Sequence, residues 1–455
     1  MRYKGLAYVH TIGCQMNVYD SEKLMAILNA YGFEKTSDMD NADIVVCNTC
    51  SIRHKAQEKA FSFLGRFNKK THDLRRPITI MAGCVAQQEG KKAFERLPHL
   101  NMVLGARAFS RFGKHIDTIK SGGDKIVDTD DAPMIYDALP DSACLDENKI
   151  SKFVTIMQGC ENFCTYCVVP YVRGKERSRD AKKIIKEISM FAKSGVKEIT
   201  LLGQNVNSYG KNEGDVTFVQ LLREVNQIPG IQRIRFATSH PKDLSVELMR
   251  AIHDLDKVCN HLHLPVQSGS NAILKRMNRG YTRQIYIRKI KELRTVCPDI
   301  ALSTDIIVGF PSETQKDFSD TLNLLHEIEF DSIFAFAYSD RPRTPAARFS
   351  NQIEETQKRD RLNAALKIQK AYACKKNSAL IGEKLDVLVE GISPQKRSGY
   401  EPRSQKTKQM TGRAESGKIV HFPSENDQIG NIIKIRIENA YPHSLWGHPL
   451  GEQRG

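Results

Sequence analysis

The chain has 455 residues, with 68 Lys and Arg against 53 Asp and Glu, a formal net charge of +15. That length can bury several cores, and the positive excess favours a polyanionic partner such as nucleic acid. Its 11 cysteines are too sparse for a disulfide scaffold, and the start of the chain lacks the charged-then-apolar pattern of a secretory leader, so a cytoplasmic protein without membrane attachment is expected.

In the first hundred or so residues, three apolar, β-branched runs, Leu6–Thr11, Ile44–Cys47 and Ile78–Ala82, read as strands, with helical spacing and charged faces between them. The order β-α-β-α-β predicts a small parallel sheet covered by helices, within a unit spanning 1–121. Cys14, Cys50 and Cys84 each fall just after one of these strands. The carboxyl ends of parallel strands converge on one edge, where open α/β sheets build their sites, so cysteines 36 and 34 residues apart can meet in space. The alternative is three ordinary buried thiols, because free cysteine packs as a small hydrophobe. Cys47, inside the second strand, fits that description; Cys144, Cys259, Cys297 and Cys374 have no partner spacing and read as structural.

Residues 122–149, rich in Asp, Gly and Pro, read as a surface linker. Over 150–376 the strand-like runs Phe153–Gln158, Glu198–Leu202, Arg233–Ala237, His261–Val266, Ser303–Val308 and Ser332–Tyr338 alternate with amphipathic stretches such as Ala181–Ser194. This predicts an open (β/α)6 partial barrel with its reactive groups in the loops after the strands. The first such loop holds Cys160, Cys164 and Cys167 as C-x3-C-x2-C. Three thiolates on one loop can hold three irons of a [4Fe–4S] cube and leave the fourth iron open to a substrate or cofactor. Zinc is the weaker reading, because it asks for four ligands, often as two pairs, and no second pair or suitably spaced histidine follows nearby. Gln204, Asn205 and Asn207 stand after the second strand, Ser239 and His240 after the third, Gln267 and Ser268 after the fourth, and Asp305 within the fifth. Each is either a ligand contact or a loop cap. His261 and His263 share one strand face and read as packing, substrate-contact or metal-binding groups.

Over 377–445, short alternating runs at Leu385–Val389, Lys418–His421 and Asn431–Ile437 predict a small β-barrel. Within it Lys396, Arg397, Arg403, Lys406, Lys408, Arg413 and Lys418 outnumber Glu401 and Glu415, with Tyr400 as an aromatic ring. Such a run is either a solvated loop or a clamp that positions nucleic acid by its phosphates while a separate pocket reads the base. Lys275, Arg276 and Arg279 make a second basic patch near the loop after the fourth barrel strand.

The cysteine triplet, with an aromatic residue before its last cysteine, resembles the signature of the radical S-adenosylmethionine enzymes. Gly13-Cys14-Gln15-Met16-Asn17, Asn48-Thr49-Cys50-Ser51-Ile52-Arg53, Ala82-Gly83-Cys84, Val168-Val169-Pro170-Tyr171-Val172-Arg173-Gly174 and the stretches 202–209 and 263–270 narrow the likeness to the methylthiotransferases. Among these the strings are most similar to the enzymes that act on N6-isopentenyladenosine at position 37 of tRNA. The resemblance covers the whole chain. It implies an N-terminal methylthiotransferase domain, a central radical domain and a C-terminal RNA-binding TRAM domain. It implies a second [4Fe–4S] cluster on Cys14, Cys50 and Cys84, and a plain apolar residue at the place of Cys47. S-adenosylmethionine would sit on the open iron, with Gln204, Asn205, Ser239 and Asp305 assigned to cofactor binding.

In the implied reaction one S-adenosylmethionine methylates a sulfur on the N-terminal cluster and a second is reductively cleaved at the barrel cluster. The resulting radical takes hydrogen from C2 of the base before the methylthio group is transferred. The implied partners are tRNA, a sulfur source and a flavodoxin-like or ferredoxin-like reductant, with the chain acting as a monomer. Related family members modify N6-threonylcarbamoyladenosine in tRNA or an aspartate of a ribosomal protein, and a noncatalytic RNA-binding iron–sulfur protein would leave the open-iron triplet unexplained. Two positions depart from the family pattern. Ser312 replaces the usual glycine of a Gly-Phe-Pro-Gly-Glu-Thr turn, with a modest strain expected if that position is left-handed, and Arg343 replaces a glycine before Thr344.

Overall fold

The computed structural model describes residues 5–51, 54–68, 77–131, 149–212, 216–393 and 407–450. Cys144, Lys396, Arg397, Tyr400, Arg403 and Lys406 lie outside the described residues.

The N-terminal unit is a parallel sheet of six strands in the order β2-β1-β3-β4-β5-β6. Its members are β1 (Gly5–Ile12), β2 (Phe33–Lys35), β3 (Ile44–Thr49), β4 (Ile78–Gly83), β5 (Met102–Gly105) and β6 (Ile126–Asp128). Three strands were expected; the extra ones are three or four residues long, too short for an alternation to register. β6 falls inside the expected linker 122–149 and extends the sheet by pairing with β5. Side chains alternate between two cores. Ile44, Val46 and Ile80 pack with the helix Gln15–Ala30 on one face, and Val45, Cys47 and Met81 pack with Phe61 and Leu64 on the other.

The central unit contains β7 (Ser151–Thr155), β8 (Met157–Gln158), β9 (Arg177–Ser178), β10 (Glu198–Leu202), β11 (Arg233–Ala237), β12 (His261–His263), β13 (Ala301–Val308) and β14 (Ser332–Ala337). Two parallel three-stranded sheets, β11-β10-β7 and β12-β13-β14, meet through a bridge between Ile234 and Val258, giving the open six-stranded barrel that was expected. Local sequence starts the covering helices cleanly. Asp180 accepts the backbone N–H of Lys183 at the head of Ala181–Lys193, and Thr217 with Gln220 forms a reciprocal cap on Phe218–Asn226.

The two units meet through buried charge. Glu187, on the helix Ala181–Lys193, accepts from Tyr19 Oη (2.6 Å), Lys23 Nζ (2.6 Å) and Arg179 Nη2 (2.9 Å). Burial alone would raise its pKa, but the Arg179 and Lys23 charges outweigh that and hold it at about 2.

The C-terminal unit is a closed barrel, β15-β16-β17-β19-β18, of β15 (Lys384–Ile392), β16 (Lys408–Ala414), β17 (Ile419–Ser424), β18 (Ile432–Ala440) and β19 (Ser444–Pro449). It docks on the amino ends of the central strands. Arg233 Nη2 donates to the Asp386 carbonyl (2.8 Å), Arg235 donates to the carbonyls of Ala414 and Glu415 (2.8 Å each), and Lys418 pairs with Asp331 (3.2 Å). Two residues of the basic run have protein partners. Lys418 holds two domains together, and Arg413 is engaged by Glu390 (3.0 Å), while Lys408 is exposed. Among the described residues no helix is long and apolar enough to cross a membrane.

Candidate active site

The carboxyl ends of the strands of both α/β units open on one cavity of about 430 Å³, lined by Cys14, Cys50 and Cys84 from the N-terminal sheet and by Cys160, Cys164 and Cys167 from the barrel. The first three are brought together by strand pairing. Ile12 lies beside Thr49 and Thr49 beside Gly83, so the residues that follow each strand crowd one edge. Glycine is required there. A Cβ on Gly13 would stand 2.6 Å from Cys50 Cβ, and one on Gly83, at φ +93°, would stand 2.5 Å from the Thr49 carbonyl oxygen. Asn17 links the strand ends by accepting from Cys14 Sγ (3.2 Å) and donating to Asn48 Oδ1 (3.1 Å) and the Thr49 carbonyl (3.2 Å).

The hydrogen bond to Cys50 is the largest influence on Cys14. With help from the Arg173 charge it overcomes burial and lowers that thiol to about 6, whereas burial pushes Cys84 up. Cys47 lies in the core on the other face of the sheet and is not part of the cavity lining.

The barrel triplet follows β8 on a loop that the backbone permits only through unusual conformations. Gly159 has φ +84°, and a Cβ there would meet the Lys175 carbonyl oxygen at 1.9 Å; Phe163 has φ +45°. The loop is held from the segment 276–279. Thr165 donates to the carbonyls of Met277 (3.1 Å) and Arg276 (2.8 Å), and Asn278 Nδ2 donates to those of Asn162 (3.2 Å) and Phe163 (3.1 Å).

Arg279, expected in a phosphate-gripping surface patch, is 4% exposed. Asn278, at φ +58°, precedes this inward-lying arginine, which donates to Pro265 O (2.7 Å), Tyr281 Oη (3.0 Å) and Cys164 Sγ (3.4 Å). Lys275 and Arg276 remain exposed, with the Arg276 guanidinium 5.1 Å from the centre of the Phe349 ring.

Gln204, Ser239 and Asp305 line the cavity. Gln204 ties the two units together by accepting from the Gly159 N–H (2.6 Å) and donating to Met16 Sδ (2.7 Å). Asn205 is not in the lining. Its amide donates to Asp243 (2.7 Å) and accepts from the His240 N–H (3.0 Å), which makes it a support for His240 rather than a direct contact.

His240 and Gln267 do line the cavity, and neither had been assigned to the cofactor. Burial first, then the surrounding arginine and lysine charges, lowers His240 to about 2. Its Nδ1 accepts from the Lys242 N–H, so the neutral ring carries its proton on Nε2. His240 Nε2, Ser239 Oγ and Gln267 Oε1 are buried without a protein partner, an arrangement that suits a polar ligand.

His261 and His263 both contact Ser303 Oγ (3.1 and 3.0 Å), which favours hydrogen-bonded packing over metal binding. Among the described residues no three Cys, His, Asp or Glu side chains are grouped around a single metal ion. Three thiols in each set are the kind of donor that a [4Fe–4S] cube would take, one sulfur to an iron. Arg173 escaped notice in the sequence except as part of a string; its Nε donates to Cys84 Sγ (3.3 Å) and its Nη2 to Asp20 Oδ2 (2.6 Å).

Residues 154–325 match the Radical SAM superfamily, 6–105 the Uncharacterized protein family UPF0004 and 378–450 the TRAM domain. The chain is 47% identical to the tRNA-2-methylthio-N(6)-dimethylallyladenosine synthase of Desulfosudis oleivorans, covering 98% of this chain and 97% of that one. It is 45% identical to the enzyme of the same name from Syntrophus aciditrophicus, over 98% and 95% of the two chains. In fold it is similar to the radical S-adenosylmethionine methyltransferase TsrM of Kitasatospora setae, with a TM-score of 0.56, 13% identity and 75% of each chain covered.

Proposed function

The chain belongs to the tRNA-2-methylthio-N(6)-dimethylallyladenosine synthase family, and from that membership we propose that it adds a methylthio group to C2 of N6-isopentenyladenosine, the same base under another name, at position 37 of tRNA. It is a radical S-adenosylmethionine methylthiotransferase with an iron–sulfur cluster. In this reading Cys160, Cys164 and Cys167 hold the cluster whose open iron takes S-adenosylmethionine, and Cys14, Cys50 and Cys84 hold a second. When bound, these groups supply one-electron cleavage of S-adenosylmethionine and a carrier for the transferred sulfur.

The observation that carries the reading is the opening of both cysteine sets, from two α/β units, onto one cavity. The chain's own residues supply alignment and a closed environment. Gln204 keeps the loop before Cys160 in register with Met16 beside Cys14. His240 offers an N–H, Gln267 a carbonyl and Ser239 a hydroxyl to whatever polar group lies between them. Leu202, Pro265, Ile307 and Phe336 give the cavity apolar wall that suits an isopentenyl chain and keeps water out.

On the same reading the exposed Lys408, with Lys396, Arg397, Arg403 and Lys406, grips tRNA phosphates. Lys275 and Arg276 beside the cysteine loop lend further positive charge. The chain works as a cytoplasmic monomer with an external sulfur source and a flavodoxin-like or ferredoxin-like electron donor. The test is a comparison of bulk tRNA nucleosides from cells with and without the chain. Loss of the 2-methylthio derivative with accumulation of N6-isopentenyladenosine is expected. An unchanged level of that derivative, or a change confined to N6-threonylcarbamoyladenosine products, would refute the assignment.

A further inference from the structure

Each cysteine set has a buried arginine on one of its sulfurs, and the two arginines are not electrostatically equivalent. Arg279 donates from Nη1 to Cys164 Sγ, and its other polar partners among the described residues are neutral oxygens: the Pro265 carbonyl and the hydroxyls of Tyr281 and Tyr166. Among the described residues no carboxylate pairs with it. Arg173 donates from Nε to Cys84 Sγ, but its Nη2 is bonded to Asp20, and the two are 5% and 0% exposed. A guanidinium stays protonated inside a protein. Arg279 therefore brings a full positive charge to its sulfur; at Cys84 Asp20 offsets only part of the Arg173 charge, and Arg341 also faces Cys50.

An unpaired buried cation is costly unless a negative group answers it, and thiolates on a cluster are such a group. A cube with three thiolates gains one unit of negative charge when it takes an electron, and a cation hydrogen-bonded to a ligand sulfur stabilises that reduced form. We infer that Arg279 raises the reduction potential of the cluster of Cys160, Cys164 and Cys167 and so favours its reduction by the flavodoxin-like or ferredoxin-like donor. Asp20 weakens the corresponding effect of Arg173 on the cluster of Cys14, Cys50 and Cys84. Arg279, Arg173 and Asp20 are thus positioning and tuning residues, and their assignment rests on the two-cluster reading proposed above.

The experiment is a redox titration followed by electron paramagnetic resonance on the anaerobically reconstituted full chain, with S-adenosylmethionine added to a parallel sample to mark the signal of the cluster that binds it. Arg279→Met should lower the midpoint potential of the marked cluster and leave the other in place, Arg279→Lys should recover most of the shift, and Asp20→Asn should raise the midpoint of the unmarked cluster. About four irons in the wild-type protein would overturn the two-cluster reading and this inference with it. About eight irons with an unmoved midpoint of the marked cluster in a loaded Arg279→Met protein would overturn the inference alone. If Arg279→Met does not retain iron, pulsed resonance on wild-type protein carrying ¹⁵N-arginine replaces it. A ¹⁵N coupling to the reduced, marked cluster is expected, and its absence would overturn the inference.

Discussion

Cys160, Cys164 and Cys167 lie within eight residues of one loop, whereas Cys14, Cys50 and Cys84 are drawn from three strand ends across seventy-one residues. The first set is shaped by local backbone, with Gly159 and Phe163 at positive φ and the segment 276–279 bonded beneath. The second exists only when β1, β3 and β4 are paired in register, and two glycines let their ends close together. A compact motif therefore declares its chemistry in sequence, while a dispersed one depends on the cooperative fold. The two should respond differently to damage.

The largest effects come from removing the ligands. Replacing Cys160, Cys164 and Cys167 together with alanine should remove about four of about eight irons and abolish both 5′-deoxyadenosine and methylthiolated product. Replacing Cys14, Cys50 and Cys84 should also remove about four irons, but leave 5′-deoxyadenosine formation while product disappears. Cys47→Ala should leave the iron content near that of the wild type. Iron analysis and chromatography of both products provide the measurements; loss of all iron from either triple variant would show that the sets are not independent.

A smaller effect is expected where the two units are joined. Glu187→Gln removes the charge shared by Lys23 and Arg179, and the drop in pKa from 4.5 to about 2 corresponds to about 3 kcal/mol of stability. Because the folded-state value is depressed, that stabilisation is complete above the unfolded value near 4.5 and fades as the pH falls through about 2. Urea denaturation at pH 7 should thus separate wild type from Glu187→Gln, and the gap should narrow progressively below pH 4.5. An equal gap at pH 7 and pH 2 would mean that packing, not charge, joins the units.

The smallest change concerns positions remote from both cysteine sets in sequence. Ser312 and Arg343 both have φ +69°, so the strain expected at Ser312 is present and Arg343 shares it. Ser312→Gly and Arg343→Gly should each stabilise the protein by roughly 1 kcal/mol, by relieving a left-handed backbone that L side chains disfavour. Denaturation midpoints would measure the gain, with unchanged iron content. Loss of iron in either variant would connect those turns to the cysteine loops.

Much of this arrangement was legible from the sequence. The exits of β1, β3 and β4 could be found because their apolar runs are long enough to show, and β10 and β11 begin and end where expected. β2, β5 and β6 are too short, while β16 and β19 carry glycine or proline and mixed polarity that blur alternation. Among site residues, Gln204 announced itself by standing after a strand. Arg279 did not, because a basic residue in Lys275-Arg276-Met277-Asn278-Arg279 reads as solvent-facing until the turn at Asn278 is known. That His240 lines the cavity and Asn205 does not was hidden for a similar reason: which of several polar loop residues faces a cavity is decided by the loop's path.

The C-terminal barrel is fixed at the amino ends of the central strands, and the cavity opens at their carboxyl ends. Between them runs β13, eight residues long, or roughly 25 Å at about 3.3 Å per residue. On the proposed reading, a tRNA that reaches both the cavity and the strands of the C-terminal barrel spans about that length, so its hold draws on the shape of the whole molecule as well as on the base.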